Sequence, residues 1–511
     1  MQAKARTEPY EYFDPVFDGS HEVPIDTEYN LPDYCADVQR ILKCRVEPEI
    51  SSYLTTDNGI TCDGVCDIRI LYLDAKGEGI KCCDFTKDFS ATIPIKETEE
   101  RAIAAVKAGL QHVNCRAMNA RRIDLHITIS LNAYAVVQKI DRITTGIEDL
   151  TIEKRTESVY TSQAVNAVCH QFAVEEYIPL KNGKPPIENI LRKGIDCRIV
   201  DSKISDESLN INGSADISFL YNSFADGITP EKMSATVEFS QDIDCSGADS
   251  ECISDLKIVC GESSIQPKED NMGECTGVTV FMKIFVVALI YRSKEIEVIS
   301  DAYSVSKPVE LNYAQNNFMQ IYDEKSDMLK DKCSVVVSGE EIQQVIDIWS
   351  EQAEVTSYCD KNKLNHRVRC TVCILFTNAN GRIMYTEKPF DFTHSFDLEN
   401  ENVKKCNSLS NTDIWEYRIS DKNTVEISLE TSIRSILYSR FAAKQLVSAE
   451  IDEDAPTIPK ASKLLVYYAF EGERLWDIAK EHKALISDIR AQNEILEDTI
   501  SKSGPIIMSA N

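Results

Sequence analysis

Apolar and polar residues alternate along 210–222, which reads NINGSADISFLYN. A period of two residues predicts a β-strand with one buried face and one solvated face. Two other stretches carry the same pattern, 62–73 (CDGVCDIRILYL) and 367–377 (RVRCTVCILFT). Aligned by their aromatic ends, the three stretches place these residues in register: Gly64, Gly213 and Val368. A spacing of roughly 150 residues is too long for a solenoid and predicts whole domains in tandem.

The segments around each copy follow one order as well. Hairpin turn signals come next, at 76–79, 226–227 and 380–381, the last an Asn-Gly pair typical of a type I′ turn. Further strands are predicted at 83–89, 236–243 and 389–392; at 110–118, 256–260 and 414–419; and at 123–134, 278–289 and 425–433. Single strands resemble one another by chance, but four elements in matched order favour three copies of one β-rich domain.

The predicted fold class is therefore mainly β, with three tandem β-rich domains at residues 10–155, 156–303 and 304–450. Prolines followed by a short helical turn, at 37–42 and 187–191, are predicted to open the first two domains. The third domain is the least regular. Residues 451–462 are acidic, hold two prolines and predict a short linker. Residues 463–511 then predict a small β-α-α-β domain.

Charge and hydropathy restrict the partners. The net charge of −28 predicts a surface that repels nucleic-acid phosphates and anionic lipid headgroups. No run approaches the roughly 18 apolar residues that a membrane helix needs, so we expect no direct membrane insertion. The first fifteen residues lack the apolar core of a signal peptide, and a cytoplasmic location is expected.

No motif for chemistry stands out. Eighteen cysteines in 511 residues are too sparse for a disulfide scaffold, so we expect reduced, mostly buried thiols. Cys370 and Cys373 have CxxC spacing, but on a strand they point to opposite faces and cannot share a metal. No nucleophile, phosphate-binding or zinc-protease motif is present. We therefore expect a non-catalytic protein without a metal or a cofactor.

The C-terminal segment resembles a LysM domain. The resemblance is carried by 468–480 (YAFEGERLWDIAK), by Asn493 after the second helix, and by 502–508 as the closing strand. LysM domains bind N-acetylglucosamine chains in a groove between two loops. Here Arg474 replaces the usual small hydroxyl residue, and the partner-binding residues that the resemblance implies are Arg474, Leu475, Trp476, Arg490 and Asn493. Two interpretations of Trp476 stay open, a core residue or a surface anchor.

The upstream domains resemble SPOCS domains of spore-forming bacteria. The matching features are the opening 187–191 (IENIL), the strand 213–221 and the late strand of each domain. The whole order is similar to spore-coat and cortex morphogenetic proteins of the SipL type. That resemblance implies an assembly adaptor whose LysM domain binds a coat morphogenetic ATPase on the mother-cell face of the forespore, with self-association as a further expectation. The alternative is a LysM protein that binds peptidoglycan.

Overall fold

The computed structural model describes residues 5–56, 59–75, 80–96, 101–148, 151–181, 183–223, 230–452, 454–457 and 464–509. Within these ranges the chain forms twenty strands and two short helices, and the prediction of a mainly β fold is confirmed. The hairpin signals at 76–79 and 226–227 lie outside the described residues, as does half of the predicted linker, residues 453 and 458–462. No helix in the described ranges is long and apolar enough to cross a membrane.

Eighteen of these strands form three successive groups of six, here named the first, second and third units. The first unit contains β1 (Ala5–Asn30), β2 (Val38–Thr56), β3 (Gly59–Asp74), β4 (Ile80–Pro94), β5 (Ile103–Ala117) and β6 (Arg122–Ile147). The second contains β7 (Ile152–Pro179), β8 (Asn189–Ser205), β9 (Ser208–Asn222), β10 (Glu231–Asp244), β11 (Cys252–Glu269) and β12 (Cys275–Ser304). The third contains β13 (Val309–Val336), β14 (Ile342–Asp360), β15 (Lys363–Asn378), β16 (Ile383–Asp397), β17 (Val403–Asp421) and β18 (Thr424–Ile451).

Each unit is built from two antiparallel three-stranded sheets with the same pairing order. The long sheets are β1-β6-β5, β7-β12-β11 and β13-β18-β17. The short sheets are β2-β3-β4, β8-β9-β10 and β14-β15-β16. Alternating apolar side chains from the two sheets meet inside each unit and form its own core. That all three units are SPOCS domains stays a prediction.

The residues that the sequence alignment places in register occupy matching positions on the central strands of the short sheets. Gly64 lies opposite Phe89, Gly213 opposite Phe239, and Val368 opposite Phe392. A Cβ atom at Gly213 would lie 2.3 Å from the Phe239 ring and 2.7 Å from the Arg198 carbonyl oxygen. The glycine therefore leaves room for the phenylalanine ring to lie across the strand.

We expect Gly213→Ala to lower the free energy of unfolding by about 1–3 kcal/mol, because the added methyl group overpacks this contact. Chemical denaturation of the full chain measures it. Gly19→Ala is the matched strand control, since its Cβ would meet only the Phe17 ring at an ordinary 3.6 Å. Equal losses for both variants would contradict the overpacking argument.

Several local expectations need correction. The helical turns predicted at 37–42 and 187–191 are wrong, because β2 and β8 begin within those ranges. The predicted boundaries at residues 10 and 156 fall inside β1 and β7, which are long outer strands. The loop at 380–381 is present, but only Gly381 has a positive φ, so it is not the type I′ turn, which requires two.

The units also share apolar clusters. Leu71, Leu220 and Leu375 stand at matching positions of the three short sheets and pack in one buried cluster with Leu191 and Trp349. A second cluster joins the long sheets of all three units, with Phe13, Tyr291 and Tyr438 among its members. Because each cluster draws on every unit, the three units are packed against one another around a common centre.

The remaining described residues, 464–509, form a C-terminal module. It contains β19 (Leu464–Ala469), α1 (Leu475–His482), α2 (Ile486–Asn493) and β20 (Gly504–Ser509), with β19 and β20 antiparallel. The helices cover one face of this two-stranded sheet, around Ala469, Ile478, Ile489 and Ile506. The assignment of this module to the LysM family stays a prediction.

Candidate docking site

Two of the predicted partner-binding residues are internal. Leu475 is 1% exposed and belongs to the core of the module. Trp476 is 8% exposed and packs edge-on against Tyr303 of β12, with ring centroids 5.1 Å apart. Trp476 therefore lies in a contact between the module and the second unit, and it has almost no surface left for a partner.

Asp301 organises this internal contact. Its carboxylate accepts hydrogen bonds from Trp476 Nε1 at 2.9 Å, Lys480 Nζ at 2.6 Å and Tyr313 Oη at 2.9 Å. Burial works to raise the pKa of Asp301, but the hydrogen bonds from Lys480 and Trp476 outweigh it and lower the pKa. The Tyr303 hydroxyl adds a bond to the Ala484 carbonyl oxygen at 2.7 Å. The module is thus fixed to the units by polar contacts as well as by packing.

The other three predicted residues differ in role. Asn493 donates to the carbonyl oxygen of Ile507 and accepts from its N–H, both at 2.7 Å, so it ties α2 to β20. Arg490 pairs with the carboxylate of Asp498. Arg474 is exposed, and its backbone bridges to Thr499. Of the five residues, Arg474 is the one in the exposed class, and it lies at the N-terminal cap of α1.

An apolar face that the sequence analysis did not single out lies on the other side of the module. Leu464, Val466 and Tyr468 alternate with residues that face the helices, and they are 57%, 57% and 58% exposed. Ile507, paired with Val466 on β20, is 40% exposed, and Phe470 extends the row at 59%. We name these five residues the outer face. Its sequence signal is a strand that is apolar on both parities, LLVYYA.

A Ser-His-Asp arrangement in the third unit was also missed from the sequence. Ser357 Oγ lies 2.8 Å from His366 Nδ1, and His366 Nε2 lies 3.5 Å from Asp327 Oδ2. The imidazole is completely buried, and burial lowers its pKa. Because His366 is enclosed by packed strands, it has no exposed surface from which to exchange a proton with a substrate. Ser357 is the hydrogen-bond partner of His366 Nδ1, whereas His366 Nε2 and Asp327 Oδ2 are buried without a hydrogen bond, so the three groups are not linked as a proton relay.

Metal-binding geometry does not appear either. Among the described residues, no group of three or more His, Cys, Asp or Glu side chains could hold a metal ion. The geometry therefore offers a surface for contact, the outer face, on a module fixed to the rest of the chain; Arg474 is exposed separately, at the start of α1.

Comparison with known proteins bears on the units. A family model described as SipL, SPOCS domain matches residues 37–118 and 186–266. These ranges cover β2–β5 of the first unit and β8–β11 of the second, and β14–β17 of the third unit lie outside them. No curated protein and no solved structure matches the chain. The same four strands are matched in two units, so the first and second units each contain a SPOCS domain.

Proposed function

We propose that this protein is a non-catalytic adaptor in assembly of the spore envelope, and that its C-terminal module recruits a coat morphogenetic ATPase to the forespore surface, on the mother-cell side. The SPOCS match supports a sporulation-related role. The observation that carries the docking step is the outer face, five large apolar side chains exposed together on one small module.

Such a surface is costly to leave in water. Soluble proteins rarely expose contiguous apolar patches unless the patch serves an interaction. Tyrosine and arginine are the residue types that most often anchor protein interfaces, and the module presents Tyr468 and Arg474. The helices already cover the opposite side of the sheet, so the outer face is the side that a partner can cover.

The contact around Asp301 adds to this proposal. It holds α1 against the second unit, so the module projects from the units in a defined orientation. A partner bound on the outer face would thereby be held in a fixed position relative to the SPOCS units. Fixed geometry of this kind is what an adaptor needs to position one component against another.

A glycan is the second candidate ligand. Tyr468 and Phe470 expose neighbouring rings in an edge-to-face arrangement, with centroids 5.7 Å apart, and an exposed aromatic ring can pack against a sugar ring. This role would make the module a peptidoglycan-binding LysM domain. The two candidates differ in ligand, and one titration compares them.

We expect Tyr468→Ser to weaken binding of the coat ATPase by roughly thirtyfold, about 2 kcal/mol, because it removes one anchor that the bound partner would bury. Arg474→Glu should weaken it too, by reversing an exposed charge at the start of α1. Isothermal titration of the full chain against the purified ATPase measures both. Tyr417→Ser on β17 is the control, since Tyr417 is an exposed tyrosine of the third unit.

Chitin oligomers are titrated in parallel. Adaptor function predicts weak or no oligomer binding and loss of ATPase binding in both module variants. Tight oligomer binding together with no ATPase binding would return the module to the glycan role. Equal ATPase affinity in wild type and Tyr468→Ser would remove the outer face as the docking surface.

A further inference from the structure

The two sheets of every unit meet along a seam. In the first unit the edge strand of the short sheet, β2, packs beside the edge strand of the long sheet, β5, although neither sheet includes the other strand. The corresponding seams are β8 with β11 and β14 with β17. The two edge strands at each seam are not paired in one sheet, so packing of their side chains holds the seam together.

Each seam contains one pair of neighbouring cysteines. Cys44 of β2 and Cys115 of β5 lie at the same apolar cluster, and their thiols interact. The corresponding pairs are Cys197 with Cys260 at the cluster of the second unit and Cys359 with Cys406 at a cluster of the third unit. Eighteen cysteines are present and all are free thiols in this structure, yet a contacting pair recurs across the same seam three times.

The cysteine pairs do not stand at equivalent sequence positions of the three units, so they are not copies of one repeated position. Cys44, Cys197 and Cys359 lie opposite Ile70, Ala215 and Leu364 on the central strands. Ile70 stands six residues after Gly64, Ala215 two residues after Gly213, and Leu364 four residues before Val368. The pairs thus sit at three different heights along equivalent seams, and what they share is the link between two sheets.

We propose that these three pairs are oxidation sites, at which a small-molecule or protein disulfide converts Cys44–Cys115, Cys197–Cys260 and Cys359–Cys406 into three disulfides that staple the two sheets of each unit. The inference concerns the SPOCS units and does not depend on what the C-terminal module binds.

The chemistry is thiol–disulfide exchange. In the first unit the Cys115 thiolate attacks one sulfur of the oxidising disulfide, forms a mixed disulfide and releases one thiolate. Cys44 then loses its proton and attacks the Cys115 sulfur, which releases the second thiolate. Two protein thiols are oxidised to one disulfide while the oxidant is reduced to two thiols, so electrons and protons balance.

The geometry also indicates which thiol attacks first. The hydrogen bond from Cys44 lowers the pKa of Cys115, and the same bond together with burial raises the pKa of Cys44. In the third unit, the bond from Cys406 lowers the pKa of Cys359 in the same way. In the first unit Cys115 is partly exposed whereas Cys44 is buried, so the more acidic thiol is also the one that an oxidant reaches. In the third unit Cys359 and Cys406 are both partly exposed.

The test is to incubate the folded, reduced full chain with oxidised glutathione, block the remaining thiols and map disulfide-linked peptides by mass spectrometry. We expect three cross-links, Cys44–Cys115, Cys197–Cys260 and Cys359–Cys406, reversed by dithiothreitol. Because each bond closes a long loop, the oxidised protein should melt on the order of 10 °C higher than the reduced protein.

Two variants separate a specific pair from general oxidation. Cys115→Ser should lose only the first cross-link, whereas Cys62→Ser should keep all three. Cys62 is a buried thiol on β3, and its nearest cysteine along that strand, Cys66, is about 13 Å away by strand geometry. If a variant fails to fold, the peptide map of the oxidised wild-type chain still shows whether the three predicted cross-links form.

Three outcomes would overturn the proposal. They are free thiols at all six positions after oxidation of folded protein, glutathione mixed disulfides that never resolve, and cross-links distributed among other cysteines. Each would show that contact across the seam does not lead to a defined disulfide.

Discussion

Asp347→Ala is expected to lower the free energy of unfolding by about 3–5 kcal/mol, the loss typical of removing one partner from a buried ion pair. Asp347 of β14 accepts from Arg192 Nε of β8 at 2.6 Å and from Lys232 Nζ of β10 at 2.9 Å. The Asp347 side chain is fully buried and that of Arg192 is 4% exposed. The variant therefore leaves a guanidinium ion in the packed contact between the second and third units.

In the Asp347→Ala variant, the position of Arg192 keeps its charged guanidinium from turning outward to water. Its guanidinium lies over the Trp349 ring, 5.1 Å from the centroid, and its neighbours Leu191 and Leu220 belong to the central apolar cluster. Reaching water would require the side chain to leave this cluster. The charge consequently remains desolvated after its partner is gone.

Urea denaturation of the full chain measures this loss. Asp391→Ala is the matched control, because Asp391 pairs with Arg367 on the surface, where both side chains are more than two-fifths exposed. Its unfolding midpoint should hardly move, since exposed pairs contribute little. A double variant, Arg192→Leu with Asp347→Leu, should recover much of the stability. A loss of unfolding free energy as small as that of Asp391→Ala would show that Arg192 does not need Asp347 as its partner.

Asp301→Ala is expected to release the C-terminal module, with a loss of about 3 kcal/mol in docking free energy, or roughly a hundredfold in the ratio of docked to undocked molecules. The variant removes the acceptor shared by Trp476, Lys480 and Tyr313. Trp476 is 8% exposed, so its N–H would then be left in a buried contact without an acceptor.

Hydrogen–deuterium exchange reports the release by region. Amides of α1 and of the end of β12 should exchange faster in Asp301→Ala, while those of the first unit keep their wild-type protection. Asp477→Ala is the control, because Asp477 is an exposed carboxylate on the same helix. Unchanged protection at the end of β12 would mean that packing of Tyr303 against Trp476 suffices to hold the module.

The strands predictable from the sequence are mainly the central ones. β3, β9 and β15 run in the middle of the short sheets, and β6, β12 and β18 in the middle of the long sheets, so burial imposes a strict period of two. The edge strands β1, β7 and β13 escaped detection because their outward residues are polar and their inward residues only partly buried. β1 also contains prolines, which an edge strand tolerates.

Bulges explain why β2 and β8 resembled helix starts. The pairing of β2 with β3 shifts register between Val38 and Arg40 and again between Ile41 and Lys43, and β8 shifts between Ile190 and Arg192. Each extra residue breaks the alternation and spaces the apolar side chains by three or four positions. That spacing is the one used to recognise a helix.

The site was harder to predict than the strands. Sequence similarity suggested residues around the start of α1, but the contact that buries Trp476 depends on Asp301, 175 residues earlier. No local pattern encodes a partner that distant. The outer face, by contrast, has a local signal in the sequence, because the strand LLVYYA is apolar on both parities.

The shared central cluster has a consequence for how the chain is made. Lys43 on β2 pairs with Glu387 on β16, 344 residues later, and Leu71 packs in one cluster with Leu375, about 300 residues later. At ordinary rates of translation, roughly 5–20 residues per second, about 20–70 s separate the emergence of the two sides from the ribosome. During that interval the first two units carry an uncovered apolar surface at their junction. A nascent chain of this design is therefore most exposed to aggregation before its third unit has been synthesised.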